Sequence, residues 1–278
     1  MTGKLSARQV QSYREDGILF PIRVLDTAET AGFRAAFESM EEYEGPLKYA
    51  PHPHLFFPWA HELAIHPRVV DVVEQILGPE ILVEGTVILT KYPSDGSFAP
   101  WHQDGEYSGW YKTPSVSAWI ALTDSHRENG CMRVIPGSHR GGRQPHRATV
   151  YENSLFRRAT EIEVEVDETL AADVELKPGE LSLHDSSIIH GSSPNQSNSR
   201  RVGFVVRFVT PAFQSRVHQH PVVRARGGGD CGKLPVLATP PVGELSECFT
   251  RWRAAFPVSP QANVGRNSTE ATGANHGR

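Results

Sequence analysis

Three observations predict a mainly β fold buttressed by N-terminal helices. From about residue 80 the chain becomes a series of short β-rich runs punctuated by Gly and Pro. Before residue 80, three stretches carry helix caps and stops. The 278 residues are enough to bury one substantial core. Many short strands separated by turn signals argue for a β-sandwich, jelly roll or barrel.

Each element has its own warrant. Ser6 can cap "ARQVQSYRED", and Gly17 stops that helix before an apolar strand, "ILFPI". Asp26 with Glu29 makes a capping-box start for "AGFRAAFESMEEYE", closed by Gly45-Pro46. A third helix begins near Pro67, with Val69, Val70, Val72, Val73, Ile76 and Leu77 on its apolar face and Gly78-Pro79 as its stop. Strands follow at "ILVEGTVILTKY", "SVSAWIALT", "CMRVIPG", "IEVEVDE", "ADVELKPGELSLHD", "SIIHG" and "RVGFVVRFVT". From residue 257 the chain is polar and nearly free of large apolar groups, which predicts a mobile tail over 257–278. The expectation is one domain over residues 1–256, helical to about residue 79, with a β core over about 80–215.

Composition narrows the function. A net charge of −4, from 28 basic and 32 acidic residues, offers no global positive field for a nucleic-acid backbone. No apolar run approaches the ~20 residues that span a bilayer. The N-terminus lacks the apolar region of a secretory signal, and Cys131, Cys231 and Cys248 form no CxxC pair. These features point to a cytoplasmic protein with a small-molecule partner, no nucleic acid and no membrane. Oligomeric state has no signature in the sequence.

The stretch "APWHQDGEYSGWY", residues 99–111, carries the first chemical signal. Side chains at i and i+2 of a strand share a face, so an extended His102-Gln103-Asp104 aims an imidazole and a carboxylate into one space. Two histidines and one carboxylate leave three coordination positions of an iron open, the arrangement of non-heme Fe(II) oxygenases. A second histidine is therefore needed from the 13 in the chain. His126-Arg127-Glu128 matches the same short pattern but sits in a cluster of turn formers, where exposed charge is ordinary. His190 ends an apolar strand, and after the turn "GSSPNQSNS" a new strand opens at Arg200-Arg201. This reads as a hairpin with a histidine at one lip and an arginine at the other. A guanidinium fork there suits the far carboxylate of a dicarboxylic co-substrate such as 2-oxoglutarate.

"WHQD", then "SAWIALTD...ENGCMRVIPGSHRGG...PH", then "PGELSLHDSSIIHGSSPNQSNSRR" together resemble the phytanoyl-CoA dioxygenase family of Fe(II)/2-oxoglutarate oxygenases, over about residues 50–210. The resemblance implies a double-stranded β-helix, a cupin-like jelly roll. It implies His102, Asp104 and His190 as metal ligands and catalytic centre. Arg201, eleven residues past the distal histidine, then falls where the family binds 2-oxoglutarate, with Ser192 and Trp119 as further co-substrate contacts. The implied cofactors are Fe(II), 2-oxoglutarate and O2. The implied reaction is hydroxylation of a substrate C–H, with succinate and CO2 as co-products. Desaturation, epoxidation or ring formation at the same site remain alternatives, as does a non-enzymatic cupin-like binding protein. Some relatives are halogenases with a small residue in place of the carboxylate, and Asp104 argues against that chemistry here.

Other residues have plainer readings. His139 and His146 are expected to staple the loop after "VIPG", His184 to pack, and Lys91 to be a solvent-exposed strand end, with lining of the cavity as the lesser alternative. Tyr107, Trp110 and Tyr111 should border the pocket and touch substrate, and His54 is a further candidate contact.

Overall fold

A computed structural model of the protein describes residues 4–108, 113–156, 159–214 and 220–257. Helix α1 (Ala7–Asp16) is capped by Ser6, with Gln9 completing the box, and ends at Gly17 with φ 74°. The left-handed conformation is what selects glycine there. Strand β1 (Ile18–Arg23) leads to α2 (Thr27–Glu44), capped reciprocally by Asp26 and Glu29. Then come β2 (Tyr49–Pro51), α3 (Pro58–Ala64) and α4 (Pro67–Leu77). The β region comprises β3 (Ile81–Lys91), β4 (Ala99–His102), a short α5 (Gly105–Ser108), β5 (Ser115–Ala121), β6 (Met132–Val134), β7 (His146–Thr149), β8 (Ala159–Ile162), β9 (Ala172–Val174), β10 (Glu180–Asp185), β11 (His190–Ser192), β12 (Arg201–Val209) and β13 (Val223–Arg226). Helix α6 (Leu245–Ala255) closes the described chain.

The strands form two facing antiparallel sheets. The larger runs β1-β10-β5-β12-β3-β13, with β2 also on β3, and the smaller runs β4-β11-β6-β9. β7 and β8 make a separate hairpin. Alternation along the large sheet sorts its side chains. Ile88, Ala118, Ile120, Phe204 and Val206 face α2, α3, α4 and α6, packing with Phe37, Met40, Leu63, Val70, Phe249 and Trp252. Val87, Leu89, Trp119 and Val205 face the small sheet, meeting Met132, Val134, Val174 and Ile188. At about 1.5–3 kcal/mol for each large side chain fully buried, the two layers together hold the sandwich closed. This is the expected jelly roll, helices backing one sheet. Among the described residues, no helix is long and apolar enough to cross a membrane.

Three local expectations need correction. His190 and Arg201 do not flank a hairpin, because β11 pairs with β4 and β6 while β12 pairs with β3 and β5. The connection between them crosses from one sheet to the other. "IEVEVDE" is strand only through Ile162, where β8 loses its partner β7. Helix α6 was not foreseen, although Glu244 and Glu247 form a capping box and Cys248, Phe249 and Trp252 supply a helical buried stripe.

Candidate functional site

β4 ends at His102, and the chain turns at Gln103-Asp104 into α5, so the pair is a strand end followed by a turn rather than an extended strand. Both side chains still reach one space. His190 of β11 lies directly across from His102 in the ladder. Ligand atoms of His102, Asp104 and His190 all lie within 4.8 Å of one another, and each side chain is buried. Both histidine Nε2 atoms stand 3.8 Å from Asp104 Oδ1.

Backbone contacts set the tautomers. Nδ1 of His102 bonds the Pro100 carbonyl at 2.8 Å and Nδ1 of His190 that of Ile188 at 3.1 Å. Each Nδ1–H is thereby spent, which leaves each Nε2 lone pair directed at the shared space. Burial, reinforced by His102, lowers the His190 pKa to about 3, so the ring is neutral and ready to ligate. Burial alone would raise Asp104, but His102 and His184 hydrogen bonds outweigh it and hold the carboxyl well below its usual range. Its second oxygen is fixed: Ser117 Oγ donates to Oδ2 at 2.7 Å and His184 Nε2 lies 3.2 Å away. One oxygen is held and the other faces the histidines, the geometry of a single-oxygen ligand.

On the inner face of the large sheet, Lys91 pairs in register with Arg201. Lys91 is 0% and Arg201 2% exposed. The reading of Lys91 as an exposed strand end was wrong, because β3 lies inside the sheet and its last inward position points into the interior. Lys91 Nζ donates to Ser192 Oγ at 2.7 Å and to the Gly130 carbonyl at 3.1 Å, and also to the Ser193 carbonyl. Arg201 donates to the Gly130 carbonyl, its Nε is buried with no hydrogen-bond partner, and its guanidinium lies 5.2 Å from the centre of the Trp119 ring. Among the described residues neither side chain has a carboxylate partner. Desolvation with Arg201 beside it depresses Lys91 to about 5, and desolvation lowers Arg201 to about 10. A buried guanidinium, a buried lysine amine that can take up a proton beside an anion, an orphaned N–H and a hydroxyl are the donor set for a carboxylate. A Cβ at Gly203 would collide with the Trp119 ring, so glycine there lets the indole lie flat between the two ends.

The comparisons with known proteins agree with this geometry. The family model described as phytanoyl-CoA dioxygenase matches residues 13–203. The chain belongs to the phytanoyl-CoA dioxygenase family. Among curated members, a probable alpha-ketoglutarate-dependent hypophosphite dioxygenase of Stutzerimonas stutzeri is 30% identical over 158 residues, covering 56% of this chain and 54% of that protein. The match thus spans about half of that relative's length. The human peroxisomal phytanoyl-CoA dioxygenase is 26% identical over 232 residues, covering 74% of this chain and 69% of its own. Among solved structures, the apo form of the non-heme monooxygenase ThoJ is 31% identical with a TM-score of 0.75, covering 89% of this chain and 94% of that one.

In this phytanoyl-CoA dioxygenase family member, the remaining candidates separate by strand face. His54 is fully buried, with Nδ1 2.8 Å from Thr86 Oγ1. Thr86 lies between inward Gly85 and Val87, and its register partner Val206 packs among the helices, so His54 stands behind the sheet and not in the pocket. Tyr107 does border the site, its ring 5.8 Å from His102, with Phe156 at 5.3 Å completing that wall. Trp110, Tyr111 and the tail from residue 258 lie outside the described residues. His139 and His146 staple loops, to the Arg14 carbonyl and to Gln103 and Gln144. His126 caps a 3-10 turn. Arg200 turns away from Arg201, toward Glu38 and Glu41 of α2.

Sequence reasoning missed Ser117 and His184, and ranked the interior position of Lys91 second. His184 was read as packing, yet it touches Asp104. Ser117 and His184 are register partners on β5 and β10. That pairing exists only once the strands are aligned, and β3, whose polar residues Glu84, Thr86 and Thr90 are buried along with its apolar ones, gives no alternation from which Lys91 could be placed.

Proposed function

We propose that the protein is an Fe(II)- and 2-oxoglutarate-dependent dioxygenase that hydroxylates a C–H bond of a small molecule, with succinate and CO2 as co-products. The observation that carries this is the presence, between the two sheets, of a buried His102-Asp104-His190 trio and a buried Lys91–Arg201 pair with no carboxylate partner among the described residues. The trio would hold iron and leave three positions for other ligands. Arg201, Lys91 and Ser192 would hold the far carboxylate of 2-oxoglutarate, and Trp119 would flank its chain. Bound together, iron, 2-oxoglutarate and O2 supply an oxidant able to attack an unactivated C–H. The chain's own residues orient these groups and exclude water. Three free, buried cysteines support the cytoplasm, a reducing compartment, as its location.

The test is oxygen-dependent succinate release against a metabolite panel, with iron or 2-oxoglutarate omitted in turn, and mass spectrometry for a product gaining one oxygen. Run in chloride, the reaction is expected to give no chlorinated product, since Asp104 would fill the position a halide needs. Succinate independent of iron would sink the proposal.

Ser117 and His184 fix the orientation of Asp104, and substitutions beside metal ligands commonly cost about 10–100-fold in metal affinity. Ser117→Ala and His184→Leu are each expected to weaken Co(II) binding by such a factor, read by titrating the visible spectrum of the bound metal. Affinities equal to wild type would mean that the carboxylate needs no outside support.

A further inference from the structure

The middle residue of the His102-Gln103-Asp104 stretch is polar, uncharged and 0% exposed. Nε2 of its carboxamide donates to the Gly142 carbonyl at 2.9 Å and to the Ser187 carbonyl at 2.5 Å, and Oε1 accepts from the Gln144 N–H at 2.9 Å. None of these three bonds goes to a ligand side chain. Two carbonyls and one N–H admit a single orientation of the amide, so its partners fix its direction. The backbone N–H of Gln103 donates to His146 Nε2 at 3.1 Å, and His146 Nδ1 lies 2.9 Å from the Gln144 carbonyl. Accepting at Nε2 leaves the ring proton on Nδ1, and the imidazole bridges two main-chain groups.

β4 ends at His102, so the backbone ladder stops where Gln103 and Asp104 leave the strand. Beyond the last rung, His102 opposite His190, other contacts must hold the turn that presents Asp104. The Gln103 carboxamide reaches the carbonyl of Ser187, three residues before His190, and the Gly105 N–H donates to the Ser186 carbonyl at 2.9 Å. The segment that carries two ligands is thereby tied to the segment that delivers the third. On its other side Gln103 is held by the 142–146 loop, through Gly142, Gln144 and His146. That loop is itself anchored on α1, where the Gly137 N–H donates to the Asp16 carbonyl at 2.7 Å and Arg140 Nη1 to the Glu15 carbonyl at 2.6 Å. A glutamine that served only to staple the loop would need no bond to Ser187.

We infer that Gln103 is a positioning residue of the metal centre, whose carboxamide fixes the separation between the His102-Asp104 turn and the segment bearing His190, and so sets how closely the three ligand atoms close on an ion. The inference rests on the metal-centre reading above. A site of three side chains holds a metal tightly only when their supports leave them little freedom to drift apart. Ser117 and His184 orient the Asp104 carboxylate, whereas Gln103 acts one level further back, on the main chain that carries the ligands.

The full chain loaded with Co(II) tests it by proton NMR and by titration. The Nδ1–H protons of His102 and His190, each bonded to a backbone carbonyl, should give two exchangeable signals displaced by the paramagnetic ion. Gln103→Met keeps the length of the side chain and removes its three hydrogen bonds. It is expected to move both signals and to weaken Co(II) binding by about 10–100-fold, the range for residues behind metal ligands. Should that variant not fold, Gln103→Asn decides with the same expectation, because its carboxamide falls one methylene short of its partners. Two controls separate position from general loosening. Val70→Ala, in the helix layer, should lower the unfolding temperature and leave both signals in place. Arg143→Ala, which breaks an exposed ion pair between the same loop and Glu106, should leave signals and affinity unchanged. Signals and affinity equal to wild type in the Gln103 variant, or an equal displacement in either control, overturns the inference. Failure of wild type itself to bind Co(II) would instead strike the metal-centre reading.

Discussion

His190→Ala and His102→Ala are each expected to abolish metal-dependent succinate formation and tight Fe(II) binding. Each supplies one of three ligand atoms within 4.8 Å of one another, with its Nδ1 committed to a backbone carbonyl. Losing a ligand should cost more than the roughly 10–100-fold typical of residues behind the ligands. Thermal unfolding provides a readout independent of turnover. Metal at about a hundred times its Kd should stabilise wild type by about 2.7 kcal/mol. The two alanine variants should show no such gain, because the folded state would no longer bind the ion better than the unfolded chain. His126→Ala should keep the full gain, since His126 caps a turn and is not one of the three. A metal-induced shift in His190→Ala equal to wild type would remove His190 from the ligand set.

The fold and the His102-Asp104 pair were largely legible because both are written in local patterns, whereas His190 entered through the family resemblance. Ser6, Asp26 and Glu29 act within four residues of the helices they cap, and the His102-Asp104 pair lies within three residues. What escaped was written across the sheet. Ser117 and His184 meet Asp104 because β5 lies beside β10, and Lys91 meets Arg201 because β3 lies beside β12. Those alignments follow from the packing of the whole sandwich. The supposed hairpin after His190 failed for the same reason, since a Ser- and Asn-rich connection has the same composition whether it turns back within one sheet or crosses to the other.

Arg201→Ala is expected to raise the KM for 2-oxoglutarate by about 30-fold to several thousand-fold. That corresponds to the 2–5 kcal/mol lost when one partner of a buried, hydrogen-bonded charge pair is truncated. Arg200→Ala should leave that KM unchanged, because Arg200 faces the opposite way and spends its charge on Glu38 and Glu41. Lys91 adds a pH signature that Arg201 does not. Desolvation holds its pKa at about 5 in the free protein, so at neutral pH it is uncharged there. A bound carboxylate beside Nζ would favour the ammonium form, so binding should take up a proton. The free state lacks that proton above about pH 5 and the complex holds it, so affinity should fall as pH rises through neutrality, by up to about tenfold per unit for one proton. The same depression gives free-protein folding the opposite slope. Between about pH 5 and the ordinary lysine value of 10.5 the unfolded chain binds the extra proton, so stability should rise with pH across that window. Calorimetry of 2-oxoglutarate binding in buffers of different ionisation enthalpy reads the proton directly. Lys91→Met should abolish the uptake and flatten the pH dependence, whereas Arg201→Ala should weaken binding and leave the slope in place. A pH-independent affinity in wild type would show that Lys91 stays neutral in the complex and that Arg201 alone carries the charge.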